Sequence, residues 1–265
     1  MHTNVNVLFE ALWQDYIEVT PSAAKVHQLL SQGNKIINDH IALRTFNIGK
    51  VNLNVLAAHF ESIGYVACGD YQFAAKKLNA KHFEHPNSSL PKVFISELLV
   101  EEFSEELQTT IKGLIEQVEP SAVTADNFLY SGRHWSIDAK TYESLLAESE
   151  YAAWVAAFGY RANHFTVSIN HLPNFDTIVE VNDALKAAGF VLNTSGGEVK
   201  GSAEVLLEQS STMADKVKLS FTDVVVEIPS CFYEFAIRYP KADGKLYTGF
   251  VAASADKIFE STHAQ

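Results

Sequence analysis

The stretch Asn163-His164-Phe165-Thr166-Val167-Ser168-Ile169-Asn170 alternates in character. Phe165, Val167 and Ile169 fall on one face, and His164, Thr166 and Ser168 on the other. A period of two marks a half-buried strand, and here the polar face opens on an imidazole. An earlier stretch echoes it. Asp39-His40-Ile41-Ala42-Leu43-Arg44-Thr45-Phe46 places Ile41, Leu43 and Thr45 on one face and His40, Ala42 and Arg44 on the other.

The echo extends outward from both histidines. His40 and Gly64 stand 24 residues apart; His164 and Gly189 stand 25 apart. Each interval reads strand, loop, helix, glycine, aromatic, strand. Each piece continues through further strands to one that bears an acid, Glu97 in the first and Glu234 in the second. This order argues for a β-α-β-β-β unit used twice. The fold expected is α+β: two such modules, curled around a cleft with equivalent strands facing each other. It forms one domain over 1–265, with N-terminal helices in 1–35, a first module in 36–100, a helical insert in 101–160, a second module in 161–240 and a C-terminal tail in 241–265, of which Ala255–Phe259 reads as short and peripheral.

Local patterns fill in this outline. Val5, Leu8, Phe9, Leu12, Trp13, Tyr16 and Ile17 have the spacing of an amphipathic helix. Thr20-Pro21 reads as an N-cap and first turn of a second helix that stops at Gly33. The modules are expected to carry helices over Leu53–Ile63 and Phe175–Ala188. Strands are expected at Tyr65–Cys68, Phe73–Leu78, Lys81–His85 and Val93–Val100, then at Val191–Asn193, Ala203–Gln209, Val217–Phe221, Val224–Ile228 and Phe232–Tyr239. In the insert, Phe103 to Val118 form a helix terminated by Pro120. Asp138 caps another helix, and Ser149 a third that ends at Gly159.

Composition narrows the class. The 265 residues are 47% hydrophobic with 17 Phe and 10 Tyr, enough for a well-filled core. A net charge of −12 argues against nucleic acid and anionic membranes as partners. Cys68 and Cys231 are too few for a disulfide framework, so a reducing, cytoplasmic home is expected. Met1–Asn6 has no charged segment leading into an apolar one, so no signal peptide is expected.

The repeat gives the histidines a common purpose. His40 and His164 begin equivalent strands, which pseudo-symmetry brings face to face. Glu234 lies in the apolar run Phe232-Tyr233-Glu234-Phe235-Ala236-Ile237, where a carboxylate is costly unless paired or metal-bound. Two imidazoles and one carboxylate make the 2-His-1-carboxylate triad that binds Fe(II) and leaves positions open for substrate and O₂. Each residue also has a plainer reading. A strand histidine is more often a hydrogen-bonded core residue, and Glu234 could pair with Arg238. Glu97 reads as structural or as support, and His82 and His85, three apart on a strand, point to opposite faces. Asn163 and Thr166 are candidates for fixing the His164 ring.

Arg44 lies four residues beyond His40 on the same face, roughly 13 Å along the strand. It is suited to clamping a carboxylate, with a salt bridge to a surface acid as the alternative. Gln209 and Ser210 are weaker polar contacts, and Arg133-His134-Trp135 could line a lid. The Gly196-Gly197 and Lys200-Gly201 turns lack a nucleotide-loop context. A Gly-x-Ser-x-Gly nucleophile elbow is absent from the sequence.

Taken together, these features resemble the vicinal oxygen chelate superfamily. More narrowly, His40-x-x-x-Arg44, Asn163-His164-Phe165-Thr166, the stretch from Gly201-Ser202 to Gln209-Ser210-Ser211, and Tyr233-Glu234-Phe235 resemble the 2-oxoadipate dioxygenase/decarboxylase family. The resemblance runs from about His40 to Tyr239. It implies Fe(II) held by His40, His164 and Glu234, with a 2-oxo acid chelating the metal and O₂ taking the remaining position. Decarboxylation is then followed by hydroxylation of the shortened chain, giving 2-hydroxyglutarate in lysine catabolism. Arg44 would bind a substrate carboxylate. Two alternatives stay open: another metal-dependent reaction on this scaffold (lyase, isomerase or extradiol dioxygenase), or a non-catalytic protein that binds a small acid.

Overall fold

A computed structural model describes residues 1–262. The chain opens with helices α1 (Val5–Val19) and α2 (Pro21–Ser31). Asn4 caps α1 by accepting from the backbone of Asn6 and Val7. Thr20 occupies the N-cap of α2, but its buried hydroxyl makes no cap bond. The first module follows as β1 (Asn38–Phe46), α3 (Leu53–Glu61), β2 (Val66–Phe73), β3 (Leu78–Glu84) and β4 (Lys92–Leu98). The insert supplies α4 (Glu105–Glu116), α5 (Ala139–Glu148) and α6 (Glu150–Phe158). The second module is β5 (Ala162–Ser168), α7 (Ile178–Ala187), β6 (Lys200–Ser202), β7 (Leu207–Ser211), β8 (Lys216–Ser220), β9 (Val225–Pro229) and β10 (Phe232–Arg238). Helix α8 (Ala252–Ile258) and a 3₁₀ turn at Phe259–Thr262 close the described chain.

Eight strands form one curled sheet in the order β2-β3-β4-β1-β5-β10-β7-β6. The two β-α-β-β-β modules meet at its centre, where β1 and β5 pair antiparallel. On either side the pattern repeats: β4 is parallel to β1, and β10 is parallel to β5. The repeat reaches into fine detail. Both module helices end at a glycine in the left-handed region, Gly64 (φ 102°) and Gly189 (φ 87°). After each, the next aromatic N–H reaches back across the last turn, Tyr65 to the Phe60 carbonyl and Phe190 to the Leu185 carbonyl. This is the closing bond of a Schellman motif, which a β-carbon at the glycine would strain.

Several local expectations are corrected. Phe73–Leu78 and Ala203–Gln209 are not continuous strands. Each is broken by a 3₁₀ turn ending in a left-handed residue, Lys77 (φ 54°) and Leu206 (φ 63°). These are the hairpin turns β2–β3 and β6–β7, so the correction strengthens the repeat. Val191–Asn193 is reduced to a single bridge between Leu192 and Thr212. Strands β8 and β9 form, but as a separate hairpin outside the main sheet. Helix α4 stops at Glu116, short of Pro120.

The insert is less peripheral than its position in the sequence implies. Every residue of α6 from Tyr151 to Phe158 is buried. Tyr151 donates its hydroxyl to the Ser96 carbonyl of β4 and accepts from the Thr45 N–H of β1. Trp154 donates to the Ser230 carbonyl. A helix apolar on all sides is stable only as core. The Asp138 and Ser149 caps form as expected.

Candidate metal centre

Strand register brings the three expected ligands together. His40 of β1 pairs with Thr166 of β5, and Thr166 pairs with Glu234 of β10. His40 and Glu234 therefore flank one residue from the two neighbouring strands. His164 lies two positions along β5 on the same face, because strand side chains repeat every second residue. All three are buried, and their ligand atoms lie within 4.8 Å of one another. Glu234 stands 3.1 Å from His164 Nε2 through Oε2 and 3.6 Å from His40 Nε2 through Oε1.

Each ring is held from behind. His40 Nδ1 is 2.8 Å from Asp39 Oδ1, and His164 Nδ1 is 3.1 Å from Asn163 Oδ1. Both arrangements turn Nε2 towards the carboxylate. Gln209 of β7 donates its amide N–H to Glu234 Oε1 at 2.6 Å. Glu234 Oε2 receives no hydrogen bond despite its burial, and neither does Gln209 Oε1. Thr166 Oγ1 lies 3.1 Å from His40 Nε2, so it contacts the other ring from the one expected.

The electrostatics are those of a coupled buried cluster. Burial alone would raise the Glu234 carboxyl; the neighbouring imidazoles, His40 foremost, hold it down at about 2. For His40, burial favours the neutral ring, but the Glu234 and Asp39 carboxylates outweigh it and push the pKa up. Burial dominates at His164 and pushes its pKa down. One imidazole is thus biased towards charge and the other towards neutrality.

These residues fit a divalent cation. An undonated buried carboxylate oxygen and two imidazole nitrogens, each ring fixed through its other nitrogen, converge on one point. A buried anion with a free lone pair is costly unless a cation takes it. Nitrogen and oxygen donors without sulfur suit Fe(II) or a similar ion and disfavour a thiophilic one.

The repeat misplaces one residue. The register that sets Thr166 beside Glu234 sets the matching Ala42 beside Phe94, so the counterpart of Glu234 is Phe94. Glu97 lies further along β4, opposite Thr45, and accepts from the Leu53 N–H at the start of α3. The cluster thus has one carboxylate, with Phe94 in the fourth symmetric position. Arg238 does not pair with Glu234; it binds Asp39. Arg133 donates to the Ser220 carbonyl of β8 and lies over the Phe221 ring, tying the insert to the β8–β9 hairpin.

The cavity beside the triad holds about 20 Å³. Its floor is formed by His40, His164 and Glu234 with Phe94 and Gln209; its roof is Phe250, Ala255, Ile258 and Phe259. The tail, expected to be peripheral, therefore covers the site. Phe250 sits edge-on to His40 at 4.8 Å, and Phe259 packs edge-on against Phe73 at 5.3 Å.

Arg44 is buried, with its guanidinium stacked among Tyr151, Trp154 and Phe259. It reaches Glu150 at 3.2 Å and Thr262 at 3.3 Å, and its Nε has no partner. Phe259 touches both the cavity and this guanidinium. A second cluster, Cys68, His82 and Glu84, also has metal-ligand composition. There Cys68 is exposed and burial raises its thiol pKa, which disfavours the thiolate a metal would need, so this cluster is the weaker candidate.

Sequence reasoning missed Asp39, Phe94 and the roof. For Asp39 a signal existed: Asp39-His40 and Asn163-His164 both place a short side-chain acceptor immediately before the histidine.

The family model described as 2-oxoadipate dioxygenase/decarboxylase matches residues 3–245. The chloroplastic 2-oxoadipate dioxygenase/decarboxylase of Arabidopsis thaliana is 34% identical over 281 residues, covering 93% of this chain and 74% of that protein. A crystal structure of hydroxyglutarate synthase from Oryza sativa in complex with 2-oxoadipate has TM-score 0.90 at 34% identity, covering 97% of this chain and 91% of that one. A crystal structure from Shewanella frigidimarina NCIMB 400 has TM-score 0.93 at 76% identity, covering 96% of this chain and all of that one. The chain belongs to the 2-oxoadipate dioxygenase/decarboxylase family.

Proposed function

We propose that this chain is an Fe(II)-dependent dioxygenase/decarboxylase that converts 2-oxoadipate and O₂ to 2-hydroxyglutarate and CO₂. One oxygen atom enters the new carboxylate and the other the hydroxyl. The observation that carries the reading is the convergence of His40, His164 and the undonated Oε2 of Glu234 within 4.8 Å on a buried face. His40, His164 and Glu234 would hold a ferrous ion, which would supply the redox chemistry for O₂ and a 2-oxo acid.

The other residues bind and shield the substrate. Burial around Phe94, Phe250, Ile258 and Phe259 excludes bulk water from the reacting end. Arg44 is the candidate for the distal carboxylate, and Gln209 contributes its unpartnered Oε1 to the polar wall. A cavity of about 20 Å³ has room for little more than one water molecule, not for a six-carbon diacid. Entry therefore requires the roof to move. Displacing Phe259 and Thr262 uncovers the Arg44 guanidinium, so opening would expose its unpaired Nε and the group now bound to Thr262.

The two free cysteines fit a reducing compartment, which we take to be the cytoplasm, and the substrate fits lysine breakdown. No helix among the described residues is long and apolar enough to cross a membrane. The test is anaerobic loading with Fe(II), followed by O₂ uptake and CO₂ release on adding 2-oxoadipate. His164→Ala should abolish both. A loaded chain that turns over no 2-oxo acid, or a His164→Ala variant of full activity, would refute the reading.

A further inference from the structure

The pseudo-symmetry of the centre is broken behind its two imidazoles. Residues adjacent on a regular strand point to opposite faces, so Asp39 should turn away from the His40 ring. It does not, because the register against β5 slips between Asn38 and His40, leaving Asp39 as the extra residue of a β-bulge. The partner strand slips in the matching place. Ala42 pairs with His164 and Leu43 with Ala162, leaving Asn163 as the extra residue. Two bulges thus re-aim the residue before each histidine onto its Nδ1.

The two re-aimed side chains differ in charge and in anchorage. Asp39 is a carboxylate gripped by Arg238, with Nε to Oδ2 at 2.7 Å and Nη2 to Oδ1 at 2.9 Å. The same guanidinium spends Nη1 on the carbonyls of Tyr247 (3.1 Å) and Gly249 (2.7 Å). All three of its nitrogens are engaged, so the carboxylate has one orientation. Asn163 is a neutral amide whose Nδ2 is buried without a partner.

We propose that Asp39, locked by Arg238, is a positioning residue that makes His40 the stronger and less exchangeable of the two imidazole ligands, while Asn163 leaves His164 the weaker one. A carboxylate accepting the Nδ1 proton fixes the tautomer and makes Nε2 a better donor than an amide can. Arg238 extends the effect to the segment entering the roof, because the bonds that hold Asp39 also hold Tyr247 and Gly249.

The proposal rests on His40, His164 and Glu234 being metal ligands. The experiment measures dissociation constants for Fe(II), added anaerobically to the full chain, and for Zn(II). The variants are Asp39→Asn, Asn163→Leu and the double variant Asp39→Asn/Arg238→Met. The double variant removes both charges, so it keeps the test alive if Asp39→Asn strands Arg238 and fails to fold. Removing the Asp39 carboxylate should weaken metal binding about 10- to 100-fold, and Asn163→Leu should cost less. In a His40→Ala background the Asp39 effect should vanish; in a His164→Ala background it should persist. Ring ¹⁵N and Nδ1-proton shifts of the Zn(II)-loaded chain should show a stronger Nδ1–H hydrogen bond at His40 than at His164, with that difference lost in Asp39→Asn. Unchanged affinity, an equal loss in the His40→Ala background, or a larger loss from Asn163→Leu would overturn the positioning role. Failure of the unmodified chain to bind either metal would instead overturn the ligand reading on which it stands.

Discussion

Replacing Arg44 by methionine keeps an unbranched side chain among Tyr151, Trp154 and Phe259 and removes only the guanidinium. The stability cost is modest, because the carboxylate it leaves behind, Glu150, retains 20% exposure of its side chain and can turn to water. The catalytic cost is larger. A guanidinium gripping the distal carboxylate makes charge-assisted bonds of about 1.5–3 kcal/mol each. Before substrate arrives it already holds Glu150 at 3.2 Å and Thr262 at 3.3 Å, so part of that gain repays contacts given up. A net loss of about 3 kcal/mol corresponds to a fall of about a hundredfold in kcat/KM. The assay compares 2-oxoadipate with 2-oxohexanoate, which has the same chain but no distal charge. The unmodified enzyme should prefer the diacid strongly, and Arg44→Met should lose that preference while keeping activity on the monoacid. Glu150→Gln should leave the preference intact. If Arg44→Met lowers both substrates equally, or Glu150→Gln reproduces its effect, Arg44 is a structural residue and the carboxylate binds elsewhere.

Gln209→Leu removes the 2.6 Å donor to Glu234 Oε1, so the metal dissociation constant should rise about 10- to 100-fold, measured by titration under nitrogen. In hydrogen exchange, amides of Ala252–Thr262 should exchange faster than those of β1 and β5; if they open only with global unfolding, the cavity cannot admit a diacid. Asp15 sets a pH dependence of stability. Burial lifts its carboxyl to about 6, against the pull of Arg161 at 3.3 Å. The folded chain then holds a proton that the unfolded chain has released, so this contribution is fully present below about pH 4 and is lost as pH rises through about 6. The shift of about two units corresponds to about 3 kcal/mol. Urea denaturation of Asp15→Asn should show a shallower decline over that window than the unmodified chain, and identical slopes would refute the assignment.

The sequence was informative where periodicity and spacing report local geometry directly. Alternation around His40 and His164 marked β1 and β5, and the matched intervals to Gly64 and Gly189 exposed the repeat, since both glycines meet the same left-handed requirement. An acid within the apolar run Phe232–Ile237 identified Glu234, because burial makes an unpaired carboxylate expensive. The family resemblance was legible for the same reason: three of its motifs contain the candidate triad, His40, His164 and Glu234.

What escaped was set by pairing between distant strands. Equal spacing nominated Glu97 as the partner of Glu234, but strand register decided for Phe94. Strict alternation would turn Asp39 away from His40; the bulge that turns it back arises from the mismatch of two paired strands. The tail read as peripheral because its apolar residues are few; their partners, His40, Phe73 and Arg44, lie some two hundred residues earlier in the chain. The sequence by itself thus determined the two modules and the candidate triad of His40, His164 and Glu234, which depend on local pattern and on the cost of burying charge. Only the tertiary structure decided which acceptor stands behind each imidazole, which residue fills the fourth corner and what roofs the site, because those follow from register and packing between segments that no local period connects.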